Sequence, residues 1–334
     1  MMTLLSTAVA LLVALIGAWL VPRIAMRIIM AARFKSGKQQ ATNYAGDTVS
    51  YGLALVWPVW AASLAMFLLA GWQLPGLVRG TVAADVMMPV LAQYSIENMF
   101  FILAVPLVVS CFFFGWLDDR FGARGDGGFT GHFKALRRGQ LRTAMVKVLG
   151  IGLTALIVSV IIVGFDPFHG EFSRLGFWGV VAIILSTCAI ALTANMINLF
   201  DLRPARASKV YAVIAIDLAL IFLCIALTIA FITRIFNPWQ VITQELIHVI
   251  WMLGPVFAVW RYDAGGRAML GDAGANPAGA LLGLFAVSGL YLLLPVYVVI
   301  VFIMNMISEK VSYSAVIEKN PTLKKIDMWG RPKT

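Results

Sequence analysis

Long apolar segments separated by short polar segments recur along the whole chain. A helix that crosses a membrane needs about 20 mostly apolar residues. The pattern predicts such helices at residues 4–20, 51–72, 99–117, 144–165, 175–194, 210–233 and 246–260, and two short or bent helices within 278–307. Gly289 and Pro295 lie near the middle of this last segment, which is too long for one ordinary span. We therefore predict an all-α protein, a polytopic membrane bundle of about nine transmembrane helices.

Composition supports this class and shows no separate soluble domain. The chain is 61% hydrophobic and only 13% charged, a balance that a domain with a polar surface could hardly carry. We interpret the first apolar segment as a retained span, because no basic segment precedes it and no small-residue cleavage site follows it. Residues 72–97 contain Pro and Gly and are predicted to form an external loop with a short helix. The domain prediction is a transmembrane catalytic-type domain at 1–307 and a basic cytoplasmic tail at 308–334.

The basic residues indicate the orientation of the spans. Lys and Arg are retained on the cytoplasmic side of short loops. If the amino terminus lies outside, all but three of the 26 Lys and Arg residues fall on the inner side, the exceptions being Arg79, Arg174 and Arg234. The net charge of +10 is then mostly a topology signal. Contact with anionic lipid headgroups explains it better than nucleic-acid binding, for which no motif is present.

Acidic residues at the edges of three predicted spans are the strongest candidates for chemistry. These residues are Asp118 and Asp119 in GWLDDRFG, Asp201 in TANMINLFDLRPARA and Asp272 in MLGDAGANPAGALLG. A charge at the end of a span costs much less than a charge at the midplane and still marks a site. Each motif alone is equally typical of helix capping. Their joint appearance on one predicted side favours a common cleft.

Two asparagines extend the second motif. Asn195, Asn198 and Asp201 recur at a spacing of three, so at a helix end they share roughly one face. Asparagine and aspartate oxygens together suit a hard cation such as Mg²⁺. The glycines around Asp272 would let the backbone approach a phosphate closely.

In order and spacing, these three motifs resemble the polyprenyl-phosphate N-acetylhexosamine-1-phosphate transferases, the family related to phospho-N-acetylmuramoyl-pentapeptide transferase. The similarity runs from about residue 43 to residue 314. It implies a bacterial plasma-membrane enzyme with about ten helices, its amino terminus outside and its active site facing the cytoplasm. Its substrates would be a UDP-N-acetylhexosamine and polyprenyl (undecaprenyl) phosphate. Its products would be UMP and a lipid-linked diphosphate sugar for cell-wall or other envelope glycan synthesis.

The resemblance also implies roles for the motif residues. Asp272 and Asn198 would hold Mg²⁺, the expected cofactor. Asp118 or Asp119 would orient or deprotonate the lipid phosphate, and Asp201 would assist.

Five further residues are candidates for substrate binding: Asn195, Lys134, Lys147, His132 and Arg203. Lys134 and Lys147 would bind phosphate, with the alternative that they only anchor the inner side of the membrane. His132 lies in the second inner loop, where it either contacts a ligand or is an ordinary solvated residue. The sequence leaves open whether the chain forms a homodimer.

The chain departs from the family pattern in three places. Residues 202–205 read LRPA where the family commonly has a Gly-rich stretch and a residue that contacts uracil. The His-rich loop and last span of the peptidoglycan enzyme are missing, which argues against a muramoyl-pentapeptide substrate. The first inner loop reads TNYAGDTVSYGLAL where the family tends to have a Pro-Thr-rich turn. These differences favour a divergent branch that serves another glycan.

Two other functions stay open at this point. A catalytically inactive relative would bind lipid or a partner protein without turnover. A transporter would need polar residues near the midplane, where Asp217 is the clear example, although this residue could equally pair with a neighbouring helix.

Overall fold

The computed structural model describes residues 2–35, 40–41, 48–49, 51–78, 99–122, 143–165, 176–234 and 237–331. Most of the predicted external loop at 72–97, and the second inner loop around residue 132, lie outside these ranges.

Helices dominate the part of the chain that the structure describes. The first half contains α1 (Met2–Leu15), a π-helical turn (Ile16–Leu20), α2 (Val21–Lys35), the strands β1 (Gln40–Ala41) and β2 (Thr48–Val49), a 3₁₀ turn (Tyr51–Leu55), α3 (Val56–Val78), α4 (Met99–Phe121) and α5 (Thr143–Phe165). The second half contains α6 (Phe177–Phe200), α7 (Arg206–Thr233), α8 (Pro238–Ala264), α9 (Asp272–Leu290), a 3₁₀ turn (Tyr291–Leu293), α10 (Leu294–Ser308), α11 (Tyr313–Lys319) and α12 (Pro321–Met328). β1 and β2 form one antiparallel pair in which Gln40 lies opposite Val49.

Eight of the described helices are long and apolar enough to cross a membrane, and a ninth span is present if α10 and α11, bent by 88°, are counted together. This confirms the prediction of a polytopic helical bundle with about nine spans. The two short helices expected within 278–307 are confirmed as α9 and α10, which the 3₁₀ turn at Tyr291–Leu293 separates. The orientation of the bundle stays a prediction from the charge distribution.

Several spans are longer than the apolar pattern predicts. The first span runs from Leu5 to Arg33 instead of ending near residue 20, because the π-helical turn leads directly into α2. The helix expected at 246–260 extends over Pro238–Ala264. Polar residues at these ends continue the backbone hydrogen bonding of the helix, so hydropathy alone underestimates the length of the element.

Helix α9 lies at the centre of the bundle. In the 18-residue apolar stretch of α9, 89% of the residues are buried, whereas the corresponding share is 22% to 50% in the other seven candidate spans. Small residues allow this close packing: a Cβ atom on Gly279 would lie 2.3 Å from the carbonyl oxygen of Thr193 in α6. On Gly115 it would lie 2.4 Å from the carbonyl oxygen of Asp272. The glycine of the GWLDD motif therefore brings the end of α4 against the start of α9.

Asp217 is exposed on the outer face of α7, between the exposed side chains of Val213 and Leu220. Within the described ranges it makes no hydrogen bond or ion pair. In the described part of the structure, Asp217 therefore does not pair with a neighbouring helix.

Candidate active site

Lys147 connects the first and third motifs. Its Nζ atom lies 2.8 Å from Oδ2 of Asp118 and also contacts Oδ2 of Asp272. The side chains are largely buried, with exposed fractions of 13% for Lys147 and Asp118 and 21% for Asp272. Oδ1 of Asp118 accepts a hydrogen bond of 2.8 Å from the hydroxyl of Thr143, one turn before Lys147 on α5. The end of α4 and the starts of α5 and α9 therefore meet at one cluster of charges.

Asp119 has a different partner from its neighbour Asp118. Its two carboxylate oxygens accept hydrogen bonds from the backbone N–H groups of Asp272 (3.1 Å) and Ala273 (2.9 Å). These groups are unpaired donors at the amino end of α9, where a negative charge is also favoured by the helix dipole. Asp119 therefore caps α9 and fixes the position of Asp272.

Asp201 holds the turn that precedes Asp272. It follows α6, is 4% exposed, and accepts a hydrogen bond of 2.7 Å from the backbone N–H of Gly271. Gly271 has a φ of +64°, a left-handed conformation that glycine adopts at little cost. Burial, followed by the nearby charge of Asp263, raises the pKa of Asp201 well above its ordinary value. All three acidic motifs thus converge on the start of α9.

The two asparagines of the second motif do not share these contacts. Nδ2 of Asn195 donates to Oδ1 of Asn305 at 2.7 Å, and Asn305 also donates to the carbonyl of Leu192. Asn195 therefore joins α6 to α10, and its role in substrate binding stays a prediction. Asn198 is half-buried, and its backbone carbonyl accepts a hydrogen bond of 3.1 Å from the N–H of Asp201. Its role as a metal ligand also stays a prediction.

Two of the other candidates, His132 and Lys134, lie outside the described residues, so their roles stay predictions. Arg203 is partly exposed, and its guanidinium lies 3.7 Å from the carboxylate of Glu318, which is more exposed still. An exposed ion pair of this kind contributes little to stability, so Arg203 remains accessible to a ligand.

Sequence reasoning missed the residue that fixes the loop after Asp201. Arg206 is buried, and its Nε and Nη2 atoms donate to the two carboxylate oxygens of Asp327 at 2.9 and 3.0 Å. Arg331 lies 2.8 Å from the same carboxylate and donates to the carbonyl of Pro204 at 2.9 Å. The tail helix α12 is thereby fastened to the loop at residues 202–205. Arg206 lies 121 residues from Asp327 and Arg331 lies 127 residues from Pro204. The arginines at residues 203 and 206 are therefore the only local signal that could have suggested these contacts.

The carboxylate oxygens of this cluster suit Mg²⁺, but they would supply only some of its ligands. In the described part of the chain no group of three or more His, Cys, Asp or Glu residues could hold a metal ion by itself. Mg²⁺, however, is usually held by one or two carboxylates together with substrate phosphates and waters. Asp118 and Asp272 provide two such carboxylates, and both contact the ammonium group of Lys147.

The fold and the cluster define a class of protein: a polytopic helical membrane protein with a lysine held between carboxylates at the end of its central helix. No protein-family model matches the chain. It is similar to the phospho-N-acetylmuramoyl-pentapeptide-transferase of Nautilia profundicola, with 26% identity over 221 residues that cover 63% of this chain and 59% of the relative. The match therefore spans less than two thirds of the relative's length. It confirms the resemblance to this family that the three motifs indicate.

Proposed function

We propose that this protein transfers a sugar 1-phosphate from a UDP-N-acetylhexosamine to polyprenyl phosphate. The observation that carries the proposal is the placement of Lys147 between Asp118 and Asp272 in a chain related to such a transferase. An oxygen of the lipid phosphate forms a bond to the phosphorus that carries the sugar. The bond from this phosphorus to UMP breaks, and UMP leaves with the electron pair.

Charge repulsion is the main barrier to this reaction, because a lipid phosphate must approach a diphosphate. Lys147 supplies a positive charge that can move from the carboxylates to a substrate phosphate. Mg²⁺ would neutralise charge on the diphosphate, with Asp272 and Asn198 as the ligands that the resemblance implies and Asp118 as a second carboxylate beside Asp272. The first N–H groups of α9 are already bonded to Asp119, but the dipole of this helix also favours negative charge at its amino end.

The two aspartates of the first motif differ in what they can do. Both oxygens of Asp119 accept backbone hydrogen bonds, so this residue is assigned to holding α9 in position. Asp118 is held by side chains, those of Thr143 and Lys147. When Lys147 turns to a substrate phosphate, Asp118 becomes free to orient the lipid phosphate or to accept its proton. Asp201 assists by holding the turn before Asp272.

The setting of the reaction follows from the same proposal. The active site faces the cytoplasm of a bacterial cell, at the inner edge of the plasma membrane, and the lipid-linked product enters envelope glycan synthesis. The divergent loop at residues 202–205 and its contact with the tail support a sugar nucleotide other than that of the peptidoglycan enzyme.

The test is incubation of the purified protein with polyprenyl phosphate, Mg²⁺ and a panel of UDP-sugars and other nucleotide sugars. Release of a nucleoside monophosphate is the expected result. Asp272→Asn should largely abolish release and should also abolish the rise in melting temperature caused by Mg²⁺, because it removes a charged ligand at constant size. Asp217→Asn, the same change at an exposed position, is the matched control and should leave both unchanged.

If no nucleotide sugar is turned over and Mg²⁺ does not change the melting temperature, the protein is an inactive relative and the transferase proposal fails. If turnover proceeds but Asp272→Asn is as active as Asp217→Asn, the active site lies elsewhere.

A further inference from the structure

The outer face of α7 carries a carboxylate within the apolar part of a candidate span. Asp217 is exposed there, and within the described ranges no side chain or backbone group pairs with it. A rise of about 1.5 Å per residue places Asp217 about 17 Å from the first residue of α7 and about 24 Å from the last. The hydrocarbon core of a bilayer is about 30 Å thick, so this carboxylate lies inside it.

An ionised aspartate at this depth is costly unless it has a partner. Insertion of Asp near the centre of a span costs about 2.5–3.5 kcal/mol. Intramembrane acidic side chains therefore almost always face the interior of a bundle, a water-filled cavity or an opposite charge. In the described part of the chain Asp217 faces none of these. A basic group from outside the chain would remove the cost.

The exposed residues around Asp217 form a stripe with the spacing of a helix-packing seam. Successive members lie three or four residues apart, so they share one face of α7. The members of the stripe are Val213, Asp217, Leu220, Cys224, Thr228 and Phe231.

Two members of the stripe are small. Cys224 and Thr228 are four residues apart, a spacing that lets a second helix approach closely in a membrane. The hydroxyl of Thr228 donates to the carbonyl of Cys224 at 2.7 Å, so its hydrogen bond is already made within α7. The stripe therefore combines one unpaired charge with a surface that suits helix packing.

Helix α7 is the candidate span that the bundle covers least. Only 22% of its 18-residue apolar stretch is buried, the lowest share among the eight candidate spans. Its buried side chains, among them Tyr211, Ala215 and Phe222, lie on the opposite side of the helix. The stripe around Asp217 therefore faces away from the rest of the bundle.

The depth and the charge of Asp217 define what can cover the stripe. A partner within the hydrocarbon has to be a helix, because its backbone must satisfy its own hydrogen bonds. A second copy that packs through the same stripe about a two-fold axis would bring two Asp217 carboxylates together, and like charges repel. A helix that carries a basic residue instead supplies the opposite charge.

We propose that this face of α7 docks a membrane-spanning helix of another protein that carries one Lys or Arg near its midpoint. The carboxylate of Asp217 pairs with the basic group, and Cys224 and Thr228 let the two backbones approach. The stripe contains no residue of the acidic cluster at the start of α9. The inference therefore goes beyond the proposed transferase activity and does not depend on it.

The test measures association in proteoliposomes that contain the full-length protein. The probe is a synthetic membrane-spanning peptide of about 20 Leu and Ala residues with one Lys at its midpoint. Energy transfer from a donor at the carboxyl terminus of the protein to an acceptor on the peptide reports binding. The Lys peptide should bind about tenfold more tightly than the same peptide with Leu in place of Lys, the usual effect of one charged hydrogen bond.

Variants of the carboxylate test the charge. Asp217→Asn removes the charge at constant size and should bind the Lys and Leu peptides with similar affinity. Glu318→Gln is the matched control, because it removes an acidic charge from an exposed side chain of α11, and it should keep the preference for the Lys peptide. Asp217→Lys should reverse the preference and favour a peptide with Asp at its midpoint.

A bulky substitution tests the close approach of the two helices. Cys224→Trp fills the space between the backbones and should weaken binding of the Lys peptide, although Asp217 is unchanged. Ile184→Trp introduces the same side chain at an exposed position of α6 and should leave binding unchanged. This pair of variants decides the proposal even if Asp217→Lys fails to insert.

The proposal is wrong if the Lys and Leu peptides bind the unmodified protein equally, if Asp217→Asn keeps the preference for the Lys peptide, or if Cys224→Trp binds it as tightly as Ile184→Trp does. A second copy of the chain is the competing occupant. Oxidation of proteoliposomes without peptide would then link two chains through Cys224, and a disulfide-linked dimer that is absent in Cys224→Ser would overturn the proposal.

Discussion

Among the described residues, Lys147 is the counter-charge that Asp118 and Asp272 share, and its replacement by methionine removes it. Methionine keeps most of the length and the apolar stem of the side chain but leaves two largely buried carboxylates facing each other. Removal of one partner from a buried ion pair costs about 3–5 kcal/mol. Because the two carboxylates retain exposed fractions of 13% and 21%, we expect the lower end of this range, about 3 kcal/mol.

The assay is thermal unfolding in detergent, followed by the loss of the monodisperse size-exclusion peak. A loss of about 3 kcal/mol should lower the midpoint by roughly 5 °C or more. Lys310→Met is the matched control, since Lys310 is exposed at the end of α10 and the substitution removes the same charge. Its midpoint should be unchanged. Mg²⁺ should raise the midpoint of Lys147→Met more than that of the unmodified protein, because a cation can then occupy the place of the ammonium group.

A double variant tests the geometry itself. Adding Asp272→Asn to Lys147→Met removes one of the two repelling charges and should restore part of the lost stability, so that the two changes are not additive. The reasoning is refuted if Lys147→Met unfolds at the same temperature as Lys310→Met, or if the double variant is destabilised by the sum of the single effects.

Two further predictions concern the loop that precedes α9 and the tail. Asp201→Ala should lower the free energy of unfolding by about 1–3 kcal/mol, because it leaves the buried N–H of Gly271 without an acceptor. Asp201→Asn keeps an oxygen there and should melt at nearly the same temperature as the unmodified protein. Equal melting temperatures of the two variants would contradict the hydrogen bond. Burial alone would raise the pKa of Asp327, but the hydrogen bonds and charge of Arg206 outweigh it and lower the pKa below the ordinary 3.8. The contribution of this pair to stability is therefore complete above pH 3.8 and lost as the pH falls through the lower folded-state pKa. The protection of the α12 amides, corrected for the pH dependence of intrinsic exchange, should accordingly fall at low pH in the unmodified protein. Asp327→Asn should lose this protection already at neutral pH, and equal protection in the two proteins at neutral pH would exclude the pair as the fastening of the tail.

Much of the membrane architecture could be predicted from the sequence. Each span needs its own run of apolar residues, so its existence is a local property that the hydropathy pattern reports directly. The break between α9 and α10 is of the same kind, since Gly289 and Pro295 lie close to it in the chain. The ends of the spans were less certain, because helices such as α2 and α8 continue past the apolar run through polar residues that still form helical hydrogen bonds.

The candidate site was only partly determined in this way. The sequence placed three acidic motifs at span ends, and their convergence on the start of α9 agrees with the expectation of a common cleft. The alternative of helix capping is correct for Asp119, but the helix it caps begins 153 residues later in the chain. No local pattern distinguishes it from Asp118, whose neighbours are side chains of α5.

The sequence by itself determined the class of the protein, the number of its spans and the acidic residues that gather at one end of the bundle. Only the tertiary structure decided what each of these residues contacts. Lys147 lies 125 residues from Asp272 in the chain, and Arg206 lies 121 residues from Asp327. Apolar periodicity reports how one segment meets lipid or its neighbours, whereas the pairing of charges depends on which helix ends the packing of α9, α4 and α6 brings together.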